Sequence, residues 1–347
     1  MRIGIISDLH WKISKGGNSF LKHVEAAVEY FYDLCIEYKV DRVLILGDTF
    51  HVKQSIDTYC LNRCLFSMRK LFAAFECDNL VGNHETLNRN NNTINLLNIF
   101  ATESNVITDY KFVDIARDLR FHFMPYFNDE VLRESKLSLI QSKPSANNIM
   151  FGHFSFQDFA VTEGHENVFS SMHADEVLSK GIDFIYSGHF HSYCDKDSVC
   201  YVSSPIESHF NEGGEHGFVF FDTNDLSKRE FFPNIFSPRF IETTLTKKNY
   251  QEVINIKDSY LSILLKNDLN PIAKESLKRK LLAKNYFVKI NTIEADSSTG
   301  DGISTVDGWD DYIFMTPEDM VVDYVHKNQV SDKDFTADDL IEEILYK

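Results

Sequence analysis

Five short clusters within the first 191 residues each set a metal-ligand side chain where a strand would end. They are Asp8-Leu9-His10, Gly47-Asp48, Gly82-Asn83-His84, Gly152-His153 and Gly188-His189-Phe190-His191. Four follow apolar runs: Ile3-Gly4-Ile5-Ile6, Val43-Leu44-Ile45-Leu46, Ile149-Met150-Phe151 and Phe184-Ile185-Tyr186. The third follows the weaker Asn79-Leu80-Val81. Residues at the strand ends of an α/β sheet converge in space although they lie far apart in sequence. Carboxylate and amide oxygens mixed with imidazoles suit divalent manganese, iron or zinc, and a shared carboxylate can bridge two ions. Any one cluster is more often structural. Together, Asp8, His10, Asp48, Asn83, His153, His189 and His191 fill the roughly four to five protein ligands that each of two ions needs, with Asp48 shared.

At 347 residues the chain has room for one large domain and a smaller one, and 43% apolar residues support a packed core. The N-terminus opens directly on a strand-like run, without the basic-then-apolar order of a signal peptide. No stretch approaches the ~20 apolar residues of a membrane span. The expectation is a cytoplasmic protein that makes no membrane contact. The six cysteines form no CxxC pair. Cys60 and Cys64 share a helix face, while Cys194 and Cys200 face each other across a possible hairpin in a compartment that disfavours a disulfide. A net charge of −17 argues against gripping nucleic acid by the overall field. It does not exclude a nuclease whose ions neutralise the phosphate locally and whose partner supplies the basic track.

The first ~235 residues alternate strand and helix early and are strand-rich late, the pattern of an α/β fold. Phe20, Val24, Ala27, Val28, Phe31, Leu34, Cys35 and Tyr38 recur at helical spacing. A strand at 42–46 and helices at 57–75 and 93–101 follow. Strands are expected at 105–107, 110–115, 119–124, 149–152, 183–187, 199–203 and 217–222. Two sheets packed face to face with helices outside, a four-layer α/β/β/α sandwich, satisfy this order. The expected divisions are 1–236 for the sandwich, 237–295 for a small α+β capping domain, 296–309 for a linker and 310–347 for C-terminal helices. Within the cap, helices are expected near 247–266 and 272–284 and a strand at 286–293. The last helices are expected at about 317–328 and 336–346.

On the motifs from Asp8 to His191, and more loosely over the cap, the chain resembles the calcineurin-like metallophosphoesterase superfamily. Within it the chain is similar to the SbcD-type DNA double-strand-break repair nucleases, most of all to phage recombination endonuclease subunits, which would place it in the host cytoplasm. The resemblance implies one ion held by Asp8, His10, Asp48 and His191, and another held by Asp48, Asn83, His153 and His189. A water made acidic by both ions would attack phosphorus in line. It implies that His84 contacts the phosphate without ligating metal, and that His51, ending Gly47-Asp48-Thr49-Phe50-His51, assists catalysis. It also implies manganese as the usual ion (magnesium, iron or zinc being possible), DNA as substrate and 3′-to-5′ polarity. The implied partners are an SbcC-type SMC-like ATPase and a second nuclease subunit, forming a homodimer within a heterotetramer. The helices at 57–75 and 93–101 are candidates for that dimer contact, and the C-terminal helices for docking on the ATPase or packing on the cap.

Two departures stand out. Trp11-Lys12 replaces the family's usual Leu-Gly, so Lys12 either touches a phosphate or marks a different loop. Glu85 stands where many of these nucleases have Asp, but the Asp-Arg-Gly of protein phosphatases is missing after Asp48. His51 as a plain loop histidine, His209 near the site, and Phe154-Ser155-Phe156-Gln157-Asp158-Phe159 as either core or a base-stacking platform stay open. Two further readings compete with the nuclease: a small-molecule phosphodiesterase or nucleotidase, and a non-catalytic phosphoesterase-fold scaffold.

Overall fold

The computed structural model describes residues 1–13, 17–51, 55–88, 91–157, 159–162, 165–166, 172–210, 212–266 and 269–292. The expected linker at 296–309 and helices beyond 310 lie outside the described residues. The chain divides into two compact units, Met1–Pro238 and Arg239–Lys347.

In the first unit β1 (Arg2–Ile6), β2 (Arg42–Ile45) and β3 (Glu76–Leu80) run parallel beside Asn105–Ile107. Gly217–Asp222 and Asp225–Pro233 complete this six-stranded sheet as antiparallel neighbours on the β1 side. The second six-stranded sheet runs in the order Cys194–Lys196, Val199–Tyr201, Phe184–Gly188, Asn147–His153, Leu119–Met124, Lys111–Ala116. Its four inner strands are parallel. Period-two alternation decides which side chains meet. Ile3, Ile5, Leu44, Leu46 and Leu80 face Phe121, Phe123, Ile149, Phe151 and Tyr186 between the sheets. Phe151 and Tyr186 stack at 5.6 Å, and Tyr186 stacks on Phe221 at 4.9 Å.

Helix α1 (Ser19–Glu37) buries Phe20, Val24, Ala27, Val28, Phe31, Leu34 and Cys35, the stripe expected from sequence. It reaches the other face of β1, where a side chain on Gly4 would meet Cys35 Sγ at 3.2 Å and Phe31 at 3.3 Å. Asp57 caps α2 (Thr58–Ala74) by accepting from the N–H groups of Tyr59 and Cys60. Beyond the second sheet, Phe154, Phe156 and Phe159 are buried with Met150, Val177 and Tyr201. That burial places these aromatics in the core rather than on a stacking platform. The architecture is the α/β/β/α sandwich.

Two helices expected from periodicity are replaced. In place of 93–101 there is a hairpin, Thr86–Asn88 with Asn91–Asn95, followed by a 3₁₀ turn, Leu96–Phe100. The asparagines explain it: Asn95 Nδ2 donates to Asn92 O, and Asn98 Nδ2 donates to Thr93 O, side-chain bonds that compete with a helical ladder. In place of 247–266 there is a short helix, Tyr250–Ile254, and then a strand, Ser259–Leu265. The helix ends at the Asn255 cap, Asp258 at φ 53° precedes the strand, and Leu261, Ile263 and Leu265 alternate into a core with Leu277, Leu281 and Val288. The second unit is therefore a parallel sheet of Arg239–Leu245, Ser259–Leu265 and Phe287–Thr292, in that order. Its helix Pro271–Leu282 starts with proline behind the Asn270 cap. The strand Asp225–Pro233 was not anticipated. Cys194 and Cys200 sit on adjacent antiparallel strands, and both are free thiols. Among the described residues no helix is long and apolar enough to cross a membrane.

Candidate metal centre

The loops after β1 and β2 stay zipped together past the strands. Asp8 N donates to Gly47 O at 3.1 Å, His10 N to Asp48 O at 2.9 Å and Trp11 N to Thr49 O at 2.9 Å. Within this pairing Asp8, His10 and Asp48 take left-handed backbone angles, φ 52°, 47° and 50°, and His189 takes φ 92°. Such angles are uncommon outside glycine, and here they turn alternate residues toward one point. Gly47, at φ +94°, must lack a side chain: a Cβ would sit 2.5 Å from His153 Nδ1 and 2.9 Å from Gly82 Cα.

The expected ligands meet there. His10 Nε2 lies 3.0 Å from His191 Nε2, and Asn83 Oδ1 lies 2.8 Å from His153 Nε2 and 3.0 Å from His189 Nδ1. Asp48 Oδ2 stands between the two sets, 3.7 Å from His10 Nε2 and 3.6 Å from His153 Nε2. Asp8 carries a hydrogen bond from Ser7 Oγ at 2.6 Å and from His189 N at 3.0 Å. Its oxygen atoms group with His10 and His191, and with Asp48 and His153, inside 4.8 Å. His84 and His51 stand at the side of this cluster. His84 N donates to Asp48 Oδ1 at 2.8 Å, and His84 Nδ1 lies 2.6 Å from His51 O. The two rings stack at 5.0 Å, and His51 Nδ1 is 3.4 Å from His10 Nδ1.

The electrostatics follow from burying charge. Burial raises the Asp8 carboxyl, with His153 opposing and Asp48 adding to the rise. Burial also works on Asp48, but His153 and His10 prevail and hold it well below the usual carboxylate range. His153 is pushed up to about 9, the Asp48 charge overcoming burial. His10 is driven well down by burial, and His189 falls to about 3 through burial and then His153. His51 falls to about 3 through burial, Lys12 and His84.

This donor set fits divalent cations. Metal–nitrogen and metal–oxygen bonds of about 2.0–2.2 Å bring ligand atoms within roughly 3–4 Å of each other, the spacing seen here. His153 Nδ1–H donates to the Leu46 carbonyl at 2.7 Å, which leaves Nε2 facing the cluster. Ring nitrogens of His10 and His191 crowded at 3.0 Å beside two buried carboxylates are what a cation would reconcile.

Four further residues, which the sequence pattern does not signal or leaves undefined, stand around the cluster. Glu85, fully buried, accepts from the main-chain N–H groups of Asp48 at 3.0 Å, Phe50 at 2.8 Å and Gly82 at 2.9 Å, tying the ends of β2 and β3 together. Its acid is pushed up to about 8 by burial and by Asp48. Tyr126 stacks on His189 at 6.1 Å and meets His153 edge-on at 6.0 Å. Glu212 bonds to His191 Nδ1. No local motif signals it; proximity to His209, whose ring lies 6.1 Å from His191, is the nearest clue. The Lys12 ammonium lies 5.0 Å over the Phe20 ring, and burial lowers it to about 8.

A two-sheet sandwich that gathers oxygen and nitrogen donors at its strand ends is the framework of a dinuclear metallohydrolase. Residues 1–193 match the family model for calcineurin-like phosphoesterases, and the chain belongs to that family. Its members use two divalent metal ions. Among solved structures the chain is similar to a dimetal phosphatase from Danio rerio, with 12% identity over 63% of this chain and 91% of that one, at a TM-score of 0.41. It is similar to GAP50, the anchor in the inner membrane complex of Plasmodium, with 14% identity over 87% and 99% of the two chains, at 0.42. It is also similar to purple acid phosphatase PPD1 from yellow lupin (Lupinus luteus) seeds, with 15% identity over 63% and 48%, at 0.36. No curated protein matches the chain.

Proposed function

We propose that the chain is the two-metal DNA endo/exonuclease subunit of an SbcCD-type recombination and repair complex in the cytoplasm. The observation that carries this is the convergence of seven donor residues with two flanking histidines, His84 and His51, held against them. Asp8, His10, Asp48 and His191 would hold one ion and Asp48, Asn83, His153 and His189 the other, with manganese suited to the mixed donors. Bound there, the ions supply charge neutralisation at the phosphate and a nucleophilic water at neutral pH.

The chain's own residues supply orientation and a proton path. His84 Nδ1–H donates a hydrogen bond to the His51 carbonyl, so Nε2, 3.9 Å from Asp48 Oδ2, is the nitrogen turned to the cluster. With a second proton on Nε2, the ring would donate to a phosphoryl oxygen or pass that proton to the leaving oxygen while keeping its Nδ1–H bond to His51 O. The His51 ring packs on His84 and restricts its swing.

Partners follow from charge and exposed surface. At −17 the chain needs basic DNA-binding surface from elsewhere, which an SMC-like ATPase bound to residues 310–347 would provide. On α2, Phe66 is 70% exposed and Tyr59 49% exposed, and Ile94 and Ile99 are exposed beyond it. We assign this apolar set to contact with a second nuclease subunit.

The test is manganese-dependent hydrolysis of end-labelled duplex and single-stranded DNA by the purified chain beside His84→Ala. Cleavage that the variant loses while still binding manganese supports the reading. Failure on DNA with turnover of nucleotides or small diesters would replace it with a small-molecule phosphodiesterase. Failure to bind manganese would leave a scaffold.

A further inference from the structure

We propose that Glu212 is a positioning residue that fixes the His191 ring with Nε2 turned into the metal cluster; this rests on the two-metal reading above. Glu212 lies on the loop between Ser204 and His216, and its side chain is only 8% exposed. Oε1 bonds to His191 Nδ1 and also receives Ser208 Oγ at 3.4 Å. Oε2 receives Ser208 N at 2.5 Å and His209 N at 3.1 Å. A carboxylate has about four lone-pair sites; His191 Nδ1, Ser208 N and His209 N take three, and Ser208 Oγ, itself 2.6 Å from His209 Nδ1, stands beside the fourth. Although His191, His209 and Glu212 together resemble a ligand set, most of the Glu212 acceptor capacity is already taken by His191 Nδ1 and two main-chain N–H groups.

The loop that carries Glu212 is fastened on both sides of His191. Ser204 N donates to His191 O at 3.0 Å, and Ser204 Oγ donates to Asp8 O at 3.0 Å. Ser192 Oγ donates to Gly213 O at 2.9 Å, and Tyr193 N donates to Glu215 O at 3.0 Å. The two glycines after Glu212 take φ +61° and +79°, which folds the loop back over Ser192. The carboxylate is thus held in place independently of the ring it holds. His153 is fixed in the same sense by the neutral Leu46 carbonyl. A charged acceptor holds the ring more strongly and makes Nε2 a more basic donor.

The experiment is calorimetric titration of Mn²⁺ into the full chain, into Glu212→Gln and Glu212→Ala, and into His209→Ala, with melting of each metal-free protein as the folding check. The parent should take up two ions. Glu212→Gln should weaken one of the two steps by about 10-fold and Glu212→Ala by about 100-fold, with the other step unchanged. Nitrogen-15 spectra with diamagnetic Zn²⁺ should show one His191 tautomer in the parent and a mixture in Glu212→Ala. A parent that binds two ions while both Glu212 variants match it would overturn the inference alone. Equal weakening by His209→Ala would also overturn it, in favour of direct ligation. A parent that binds no divalent ion would overturn the two-metal reading and the inference with it.

Discussion

Replacing Gly47 by alanine tests whether close packing of the loops after β2 and β3 sets the position of His153. At φ +94° an alanine loses about 1–2 kcal/mol from its backbone alone. Its Cβ would stand 2.5 Å from His153 Nδ1, where ordinary contact begins at 3.4 Å. The ring must therefore retreat by roughly 1 Å, since the other contact, Gly82 Cα at 2.9 Å, is backbone. That retreat breaks the 2.7 Å bond to Leu46 O, worth about 1 kcal/mol. The sum, about 2–3 kcal/mol, lowers the melting temperature by roughly 4–12 °C in a domain of this size. Misplacing one donor by about 1 Å should lower kcat/KM by about 100-fold. Manganese-dependent hydrolysis of bis(p-nitrophenyl) phosphate reads this without presupposing DNA. Gly17→Ala is the control, because Gly17 has φ +63° but nothing within 4 Å, so only the backbone cost applies. Parental kcat/KM in Gly47→Ala, or an equal loss in Gly17→Ala, would refute the steric argument.

Glu85→Ala strands three buried N–H groups and should destabilise the chain by about 4 kcal/mol, with weakened manganese uptake; an unchanged urea midpoint would contradict this. Asp78 is fully buried and accepts from Arg42 Nε at 2.6 Å, so Asp78→Ala should cost about 3 kcal/mol in chemical denaturation while kcat stays at the parental value. Manganese at a hundred times its dissociation constant should stabilise the native chain by about 3 kcal/mol and EDTA should reverse the gain, read as a melting shift. Phe66→Glu on α2 should turn a dimer into a monomer in light scattering; a parent that is monomeric at high concentration would contradict the proposed contact.

What was legible in the sequence had a short physical range. Ile3 to Ile6 and Val43 to Leu46 announce buried strands because consecutive apolar residues can serve both faces of a covered sheet. The α1 stripe announces itself by period. The alternation in Ser259–Leu265 was masked by apolar residues that also fit a helix, a known ambiguity of short apolar runs. The asparagine run around 91–98 reads as helix only if its side chains stay out of the backbone, and they do not. Glu212 stayed hidden because its partner lies 21 residues away and meets it only after the loop folds back. Glu85 was visible as a departure from the nuclease pattern, but its three N–H partners were not.

The four left-handed ligand positions explain how this sheet assembles a centre at all. Along an extended strand Asp8 and His10 would remain on one face with Leu9 opposite, aimed along the sheet rather than across its edge. Turning Asp8, His10, Asp48 and His189 into positive φ costs roughly 1 kcal/mol or more at each. Such a cost persists only where the surroundings over-determine it. Here they do so through hydrogen bonds, from main chain and side chains, that fix each strained residue from another motif. Asp8 N is held by Gly47 O, His10 N by Asp48 O and His189 N by Asp8, while Asp8 O is held by Ser204 Oγ. Each motif therefore holds its neighbour in a conformation neither would adopt alone. The donor geometry is thus built from main-chain pairing between the loops after β1 and β2, completed by the Asp8 and Glu85 carboxylates and the Ser204 hydroxyl, before ions contribute. A substitution that relaxes one of these bonds, including truncation of Asp8, whose carboxylate holds His189 N, should accordingly disturb ligands on two strands together, whereas truncating the His10 side chain should leave the other motifs in place.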